Sequence, residues 1–170
     1  MVETGILSED EPVELLCGVL TAVSPKSSAH ASVKYRLLAW LFAGAAANRY
    51  VVRSEDPLIV PDVTSLPEPD IAVVAGDDVD PRRHATTALL VIEVAVTSQR
   101  TDTTIKPAMY AAAGVPELWV VDVPAGRLRI FRDPKATGYA SEAAVTAPGP
   151  VAPLRLDLPP LDLSALFAGL

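Results

Sequence analysis

Two spacings of apolar residues divide the first third of the chain into strands and a helix. Residues 13–23 alternate between apolar and polar around a central turn, which predicts a pair of short strands. A helical spacing follows and predicts a helix that begins at Ser27 or Ser28, where a hydroxyl can cap it, and ends near Ala47. The predicted buried stripe of this helix consists of Val33, Leu37, Trp40, Leu41 and Gly44.

Short apolar runs separated by proline-rich or polar segments predict the strands of the middle third. These strands are Tyr50–Val60, interrupted at Asp56-Pro57, then Ile71–Ala75 and Leu89–Val96. The segments between them, 61–69 and 76–85, are predicted loops. The third strand is the most hydrophobic, which is typical of a central position in a sheet.

The last third of the chain returns to helical spacing and then to strands. A helix is predicted over Asp102–Ala113, and it ends at Gly114, which tolerates the left-handed conformation. A hairpin of Leu118–Val123 and Leu128–Phe131 follows, then a strand near Leu154–Leu156 and a last helical turn at Leu163–Phe167. Helices that alternate with strands around a mixed sheet indicate the α/β or α+β class, in one domain over residues 1–170.

The composition limits the class of protein without deciding its function. Half of the 170 residues are hydrophobic, which excludes a disordered chain. The net charge of -7 counts against strong non-specific binding of nucleic acid, although acidic clusters that hold Mg²⁺ also make a chain acidic. The sequence has one cysteine, and residues 1–10 do not resemble a secretory signal. The longest apolar run, residues 37–47, is too short to cross a membrane. These features predict a cytoplasmic protein without a membrane anchor.

Glu93 is the residue least expected from its surroundings. It interrupts an otherwise uncharged apolar run and, by strand alternation, shares a face with Val91 and Ala95. An ionised carboxylate without a partner in such a strand is strongly destabilising. It therefore faces a cation, shares a proton or lies where the sheet opens to solvent. The plainest alternative is a structural ion pair with Arg53 or Arg129.

Two further residues gain interest from their position relative to Glu93. Asp70 follows Pro69 and directly precedes a predicted buried strand, so its carboxylate lies at a strand edge; a turn-capping aspartate is the alternative. Lys106 precedes Pro107 and so lies at or just before the first full turn of the predicted helix, near the end of the strand with Glu93. Taken alone, Lys106 is indistinguishable from an ordinary solvated lysine.

Together these three residues fit metal-dependent hydrolysis of a phosphodiester bond. Two carboxylates on neighbouring strands can hold Mg²⁺, which proteins bind through few carboxylates, several waters and substrate phosphate. The metal would lower the pKa of a water molecule and polarise the phosphate, while a lysine stabilises the developing negative charge. The sequence contains no glycine-rich phosphate loop, no zinc-type Cys/His spacing and no Gly-x-Ser-x-Gly element.

The order of these residues resembles a known superfamily. The pattern of the PD-(D/E)XK nucleases is similar to the order found here, which is Pro69-Asp70, then Glu93 in a hydrophobic strand, then a lysine. The surrounding segments narrow the resemblance to the Uma-two family of bacterial restriction endonucleases. These segments are 14–18, 67–74, 91–94, 100–102, 106–116, 119–122 and 161–167. The resemblance therefore spans nearly the whole chain.

The resemblance implies a fold and a set of site residues. The fold is a restriction-endonuclease-like core, a mixed β-sheet flanked by α-helices. Asp70 and Glu93 would bind Mg²⁺ or Mn²⁺, with the backbone carbonyl of Val94 as a further ligand. The superfamily usually places its lysine two residues after the acid, where this chain has Ala95, but the Uma-two pattern carries it on the following helix, at Lys106. Further candidates are Glu14 and His30, where the family often has polar residues, and Asp102, within a matched segment.

The leading hypothesis is thus a Mg²⁺-dependent endonuclease that hydrolyses DNA. The alternative is a catalytically inactive protein of the same fold that acts as a nucleic-acid-binding or oligomeric module, which the acidic net charge favours. A plainer third possibility is a structural α/β domain whose acids form ion pairs. Apolar surface on the predicted hairpin and the positive mean hydropathy predict self-association, most simply as a homodimer.

Overall fold

The computed structural model describes residues 8, 11–23, 25–61, 64–78, 80, 82–98 and 100–170. In chain order the strands are β1 Val13–Leu16, β2 Val19–Ala22, β3 Tyr50–Arg53, β4 Ile71–Ala75, β5 Leu90–Ala95, β6 Glu117–Asp122, β7 Arg127–Lys135, β8 Gly138–Thr146, β9 Pro150–Val151 and β10 Leu161–Asp162. The helices are α1 Ser28–Asn48, α2 Lys106–Ala112 and α3 Leu163–Phe167. A 3₁₀ turn covers Gly76–Asp78 and a π-helical turn covers Thr101–Ile105.

A mixed sheet forms the centre of the fold. Within the described residues it has six strands in the order β3-β4-β5-β6-β7-β8. β5 and β6 run parallel, whereas the other neighbours in this sheet are antiparallel. A parallel pair needs a crossover, which is supplied by the π-helical turn and α2. β5 is buried along its whole length and lies inside the sheet, so its predicted central position is confirmed.

One face of the sheet packs against α1. The helix begins at the predicted cap, because Oγ of Ser27 accepts a hydrogen bond from the backbone N–H of His30 at 3.2 Å. The fully buried members of its predicted stripe are Val33, Leu37 and Leu41. Trp40 at the edge of the stripe stacks on the buried Trp119 of β6, with ring centroids 5.8 Å apart. Both tryptophans therefore belong to the packing of this layer.

The other face of the sheet is covered by α2. Tyr110 of α2 is fully buried there against a second apolar cluster that includes Val91 and Ala95 of β5. Since successive strand residues alternate between faces, Glu93 points to the same face, as predicted. The fold thus places the carboxylate of Glu93 between the sheet and α2.

Two predictions for the last third of the chain are wrong. Residues 154–156 form no strand, because the backbone N–H of Leu154 donates instead to the side chain of Glu117 at 2.6 Å. The short pairing in this region joins β9 to β10. β7 also continues beyond its predicted end, to Lys135, and pairs with β8, which is not predicted at all. Most of β8 is exposed on both faces, so it lacks the apolar alternation that identifies a strand in sequence.

The middle of the chain differs from prediction in two smaller ways. The predicted strand at 50–60 ends at Arg53, and only an isolated bridge between Leu58 and Ala85 follows it. The helix predicted from Asp102 starts as the π-helical turn and becomes α-helical at Lys106. Parts of two predicted loops, residues 62–63, 79 and 81, and most of the first ten residues lie outside the described residues. None of the described helices is long and apolar enough to cross a membrane.

Candidate active site

The ends of β4 and β5 bring Asp70 and Glu93 together. Ile71 of β4 pairs with Ile92 of β5 in antiparallel register, and the ladder ends at this pair. The next residues outward on the two segments are Asp70 and Glu93, which therefore lie opposite each other. The two carboxylates selected from the sequence are thus neighbours at one end of the sheet.

Both carboxylate oxygens of Asp70 have protein partners. Oδ2 accepts a hydrogen bond from the backbone N–H of Val94 at 2.8 Å. Oδ1 lies 3.0 Å from Nε2 of His30 and 3.1 Å from Nζ of Lys26. Burial alone would raise the pKa of Asp70, but His30, Val94 and Lys26 outweigh it and hold this pKa at about 2. Asp70 is therefore an ionised carboxylate at neutral pH.

Glu93 is only 2% exposed, and one of its oxygens receives two donors. Oε1 accepts a hydrogen bond from the hydroxyl of Tyr110 at 2.6 Å and lies 3.1 Å from Nζ of Lys106. Burial raises the pKa of Glu93 to about 8, although the ammonium of Lys106 opposes the shift. In contrast to Asp70, whose pKa is lowered, Glu93 thus has a raised pKa even with the ammonium of Lys106 beside it.

Lys106 is surrounded by carboxylates. Its Nζ lies 3.1 Å from Oε1 of Glu14, 3.1 Å from Oε1 of Glu93 and 3.6 Å from Oδ1 of Asp102. Burial alone would lower the pKa of Lys106, but these carboxylates raise it, so the side chain is an ammonium. The predicted position at the helix start is correct. The residue nevertheless has helical dihedrals despite preceding Pro107, because the π-helical turn leads into α2 without a break.

The candidates Glu14 and Asp102 meet the site from two further elements. Glu14 is on β1, and its Oε1 also accepts a hydrogen bond from the backbone N–H of Glu68 at 2.8 Å. The β1–β2 hairpin is thereby attached to both Lys106 and the loop before Asp70. Asp102 lies in the π-helical turn and accepts a hydrogen bond from Oγ of Ser98. Burial raises the pKa of Asp102.

The proposed ion pair of Glu93 with Arg53 or Arg129 is wrong. Arg53 forms its ion pair with Asp56, three residues along the chain. Arg129 of β7 pairs with Glu142 on the adjacent strand β8, at 2.6 Å. Each guanidinium therefore forms its ion pair with an acid that is close in sequence or on the next strand. The cation at Glu93 is Lys106.

A cavity of about 500 Å³ opens at this end of the sheet, and its lining is strongly acidic. The carboxylate residues that line it are Glu11, Glu14, Glu55, Glu68, Asp70, Glu93 and Asp102. The lysines among its lining residues are Lys26 and Lys106, and Val94 also lines it. Carboxylates in such excess over ammonium groups create a negative field that a small divalent cation would neutralise.

The donor set fits a magnesium or manganese ion. Among the described residues, no group of three or more His, Cys, Asp or Glu side chains is arranged to hold a metal by itself. Mg²⁺ does not need such a cage, since it keeps several waters and takes one or two carboxylates plus substrate phosphate. The N–H of Val94 donates to Asp70. Since the N–H and C=O of one strand residue point to the same side of the strand, the carbonyl of Val94 also faces Asp70.

Two residues whose side chains contact the carboxylates of Asp70 and Glu93 were not predicted from the sequence. Tyr110 follows Lys106 by four residues on α2, and this spacing alone could have placed it beside Glu93. Lys26 lies two residues before Ser28, where α1 begins. Its contact with Asp70 joins segments far apart in the sequence, and no local pattern indicates it.

Comparison with known protein families agrees with this architecture. The model of the Uma2 family, described as "Putative restriction endonuclease", matches residues 4–165. The chain belongs to the Uma2 family. The resemblance identified from sequence is therefore confirmed over nearly the whole chain, and the protein belongs to a family of nuclease type.

One solved structure supports the fold of this Uma2 protein. A "putative nuclease belonging to DUF820" from Anabaena variabilis has 16% identity and a TM-score of 0.80, with 98% of this chain and 96% of that chain covered. This likeness confirms the mixed α/β fold. The type IIG restriction endonuclease BpuSI has 15% identity and a TM-score of 0.40, and the match covers 66% of this chain and 13% of that one. No curated protein matches the chain.

Proposed function

We propose that this Uma2 protein is a Mg²⁺- or Mn²⁺-dependent endonuclease that hydrolyses phosphodiester bonds in DNA. The observation that carries the proposal is the convergence of Asp70, Glu93 and Lys106 on one cavity. They come from the residue before β4, from β5 and from the start of α2, yet Nζ of Lys106 lies 3.1 Å from Oε1 of Glu93. An ordinary structural ion pair does not require a second carboxylate, that of Asp70, on the wall of the same cavity.

Asp70, Glu93 and the carbonyl of Val94 would hold the metal ion. When bound, the ion would lower the pKa of a water molecule and neutralise charge on the scissile phosphate. Glu93 would lose its proton to take part in this binding, because burial otherwise raises its pKa to about 8. Metal binding is therefore expected to release a proton near neutral pH.

Lys106 and Tyr110 would complete the site from α2. Both donate to Oε1 of Glu93, and two donors on one oxygen fix the orientation of the carboxylate. The ammonium of Lys106 is a compact charge suited to the negative charge that develops on a phosphate during hydrolysis. Glu14 and Asp102 hold that ammonium from two other sides, so they would act as positioning residues.

Cleavage of supercoiled plasmid DNA with Mg²⁺ or Mn²⁺ tests this function. The wild type is expected to nick or linearise the plasmid, and Glu93→Gln and Asp70→Asn are each expected to lower the rate by at least about a hundredfold. Glu142→Gln is the matched control, because Glu142 is an exposed acid paired with Arg129 on β7–β8. Equal rates in the two site variants and in the control would refute the assignment.

A non-catalytic nuclease-fold module is the second candidate. Two observations favour it: Oδ1 and Oδ2 of Asp70 already have protein partners, and the described residues contain no ready-made cluster of three metal-binding side chains. Such a protein would bind nucleic acid or a second copy of itself, for which β8 at the outer edge of the sheet is the exposed strand. Calorimetry with Mn²⁺ separates the two functions. Binding heat in the wild type but not in Asp70→Asn supports the nuclease, and no heat in either supports the module.

A further inference from the structure

Lys26, which is not one of the predicted catalytic residues, forms an ion pair with Asp70. Nζ of Lys26 lies 3.1 Å from Oδ1 of Asp70, and its side chain is 34% exposed. The same oxygen also lies 3.0 Å from Nε2 of the buried His30, and the other oxygen of Asp70 accepts from the backbone N–H of Val94. Lys26 therefore supplies a solvent-accessible positive charge to a carboxylate that would bind the metal.

Glu55 holds Lys26 from a second direction. The ammonium of Lys26 also forms an ion pair with Oε1 of Glu55, which in addition lies 2.7 Å from Nζ of Lys34. Glu55 has a left-handed backbone, with φ 54, and its N–H donates to the carbonyl of Asp70 at 3.3 Å. This strained position keeps its carboxylate next to the site. Lys26 can thus keep its ion pair with Glu55 when another cation binds to Asp70.

We propose that Lys26 is a placeholder cation, which neutralises Asp70 until a divalent metal displaces it and then binds a non-bridging oxygen of the substrate phosphate. The inference rests on the proposed nuclease function. An ammonium and a metal ion on one carboxylate oxygen repel each other, so they compete for Oδ1 of Asp70. Lys106 is unsuited to this exchange, since it is 5% exposed and held by three carboxylates, whereas Lys26 reaches solvent.

Lys34 provides a matched control for the metal-binding half of the proposal. It carries the same charge and shares Glu55 with Lys26, and the described residues include no ion pair between Lys34 and Asp70. In Mn²⁺ calorimetry, Lys26→Met is expected to bind the ion about tenfold more tightly than the wild type, because the competing charge is gone. Lys34→Met is expected to stay within about twofold. Equal or weaker binding by Lys26→Met would overturn the placeholder role.

Steady-state DNA cleavage at saturating Mn²⁺ tests the phosphate-binding half. Lys26→Met is expected to raise KM for DNA about tenfold with kcat little changed, as for a contact present in both ground and transition states. Lys26→Arg, which keeps the charge, is expected to restore KM, and Lys34→Met to leave it unchanged. An unchanged KM in Lys26→Met would overturn this half. A wild type that binds no Mn²⁺ and cuts no DNA would overturn the nuclease function as well, so the two failures are distinguishable.

Discussion

The hydroxyl of Tyr110 donates a hydrogen bond of 2.6 Å to Oε1 of Glu93. Both groups are buried between β5 and α2. Contacts of this kind orient a metal ligand without touching the metal, and their loss typically weakens metal binding by about 10- to 100-fold. Tyr110 is therefore a positioning residue for the proposed centre.

Tyr110→Phe is expected to weaken Mn²⁺ binding at least about tenfold and to lower the free energy of unfolding by about 1 kcal/mol. Calorimetry and urea denaturation measure the two effects. Tyr139→Phe is the control, because the hydroxyl of Tyr139 donates to the carbonyl of Val115 at 2.8 Å, outside the site. It should lose similar stability but keep its affinity for Mn²⁺. Unchanged Mn²⁺ affinity in Tyr110→Phe would rule out the positioning role.

Glu93 makes the stability of the metal-free protein depend on pH. Burial raises its pKa from the ordinary value of 4.5 to about 8, so between these values the folded state keeps a proton that the unfolded state has lost. The stabilising contribution is therefore complete below about pH 4.5, decreases as the pH rises and is lost above about pH 8. The steepest slope for one such group is about 1.4 kcal/mol per pH unit.

The variant Glu93→Gln removes this titration while keeping the shape of the side chain. In EDTA, the free energy of unfolding of the variant minus that of the wild type is expected to increase from about pH 5 to pH 8. Above about pH 8 this difference is expected to stay constant. Urea denaturation at one-unit intervals from pH 5 to pH 9 measures the difference. A constant difference across this range would show that Glu93 titrates at its ordinary value.

Two of the three predicted site residues could be found from sequence because each leaves a local signal. Glu93 is a charge in an apolar strand, and Asp70 directly precedes another such strand. Lys106 has no signal of its own, and it was selected by its position at the start of the predicted helix and by the resemblance to the Uma-two pattern. The central strand and the first helix were predictable for a related reason, since their apolar spacing reflects burial by neighbouring layers.

The remaining contacts depend on the tertiary fold. Lys26 meets Asp70, and Glu14 meets Lys106, only because α1 and the β1–β2 hairpin pack at the same end of the sheet. The choice of Arg53 or Arg129 as a partner for Glu93 failed because nearer acids pair with both arginines. Sequence indicates that a buried charge needs a partner, but packing decides which partner it receives.

Glu117 allows stability to be separated from the proposed chemistry. It is fully buried at the start of β6, away from the end of the sheet that carries Asp70. Its carboxylate accepts hydrogen bonds from Trp119 at 2.9 Å, from Arg132 at 2.6 Å and from the N–H of Leu154 at 2.6 Å. Glu117→Ala leaves these donors without their acceptor, and it is expected to lower the free energy of unfolding by about 3 kcal/mol.

Mn²⁺ affinity of Glu117→Ala, measured well below its midpoint of thermal unfolding, is expected to equal that of the wild type. Glu142→Ala serves as the exposed counterpart, because its ion pair with Arg129 is on the surface and is worth less than about 1 kcal/mol. Similar destabilisation in both variants would mean that the buried hydrogen bonds of Glu117 contribute no more to stability than an exposed ion pair.

His30 and His84 each contact an aspartate, but in different surroundings. Nε2 of His30 lies 3.0 Å from Oδ1 of Asp70, and the His30 side chain is 8% exposed. Nδ1 of His84 lies 2.9 Å from Oδ1 of Asp56, and its side chain is 52% exposed. Burial strengthens electrostatic interactions, so the buried pair should contribute more to stability than the exposed one.

His30→Ala is expected to lower the free energy of unfolding at pH 7 by about 2 kcal/mol, and His84→Ala by less than about 0.5 kcal/mol. His30 helps to hold the pKa of Asp70 at about 2, below its ordinary value of 3.8. A lowered pKa stabilises the fold above about pH 3.8 and loses this effect as the pH falls through about 2. The difference between His30→Ala and the wild type should therefore shrink in urea denaturation between pH 5 and pH 2. A difference that stays constant on acidification would show that His30 acts through packing and not through the charge of Asp70.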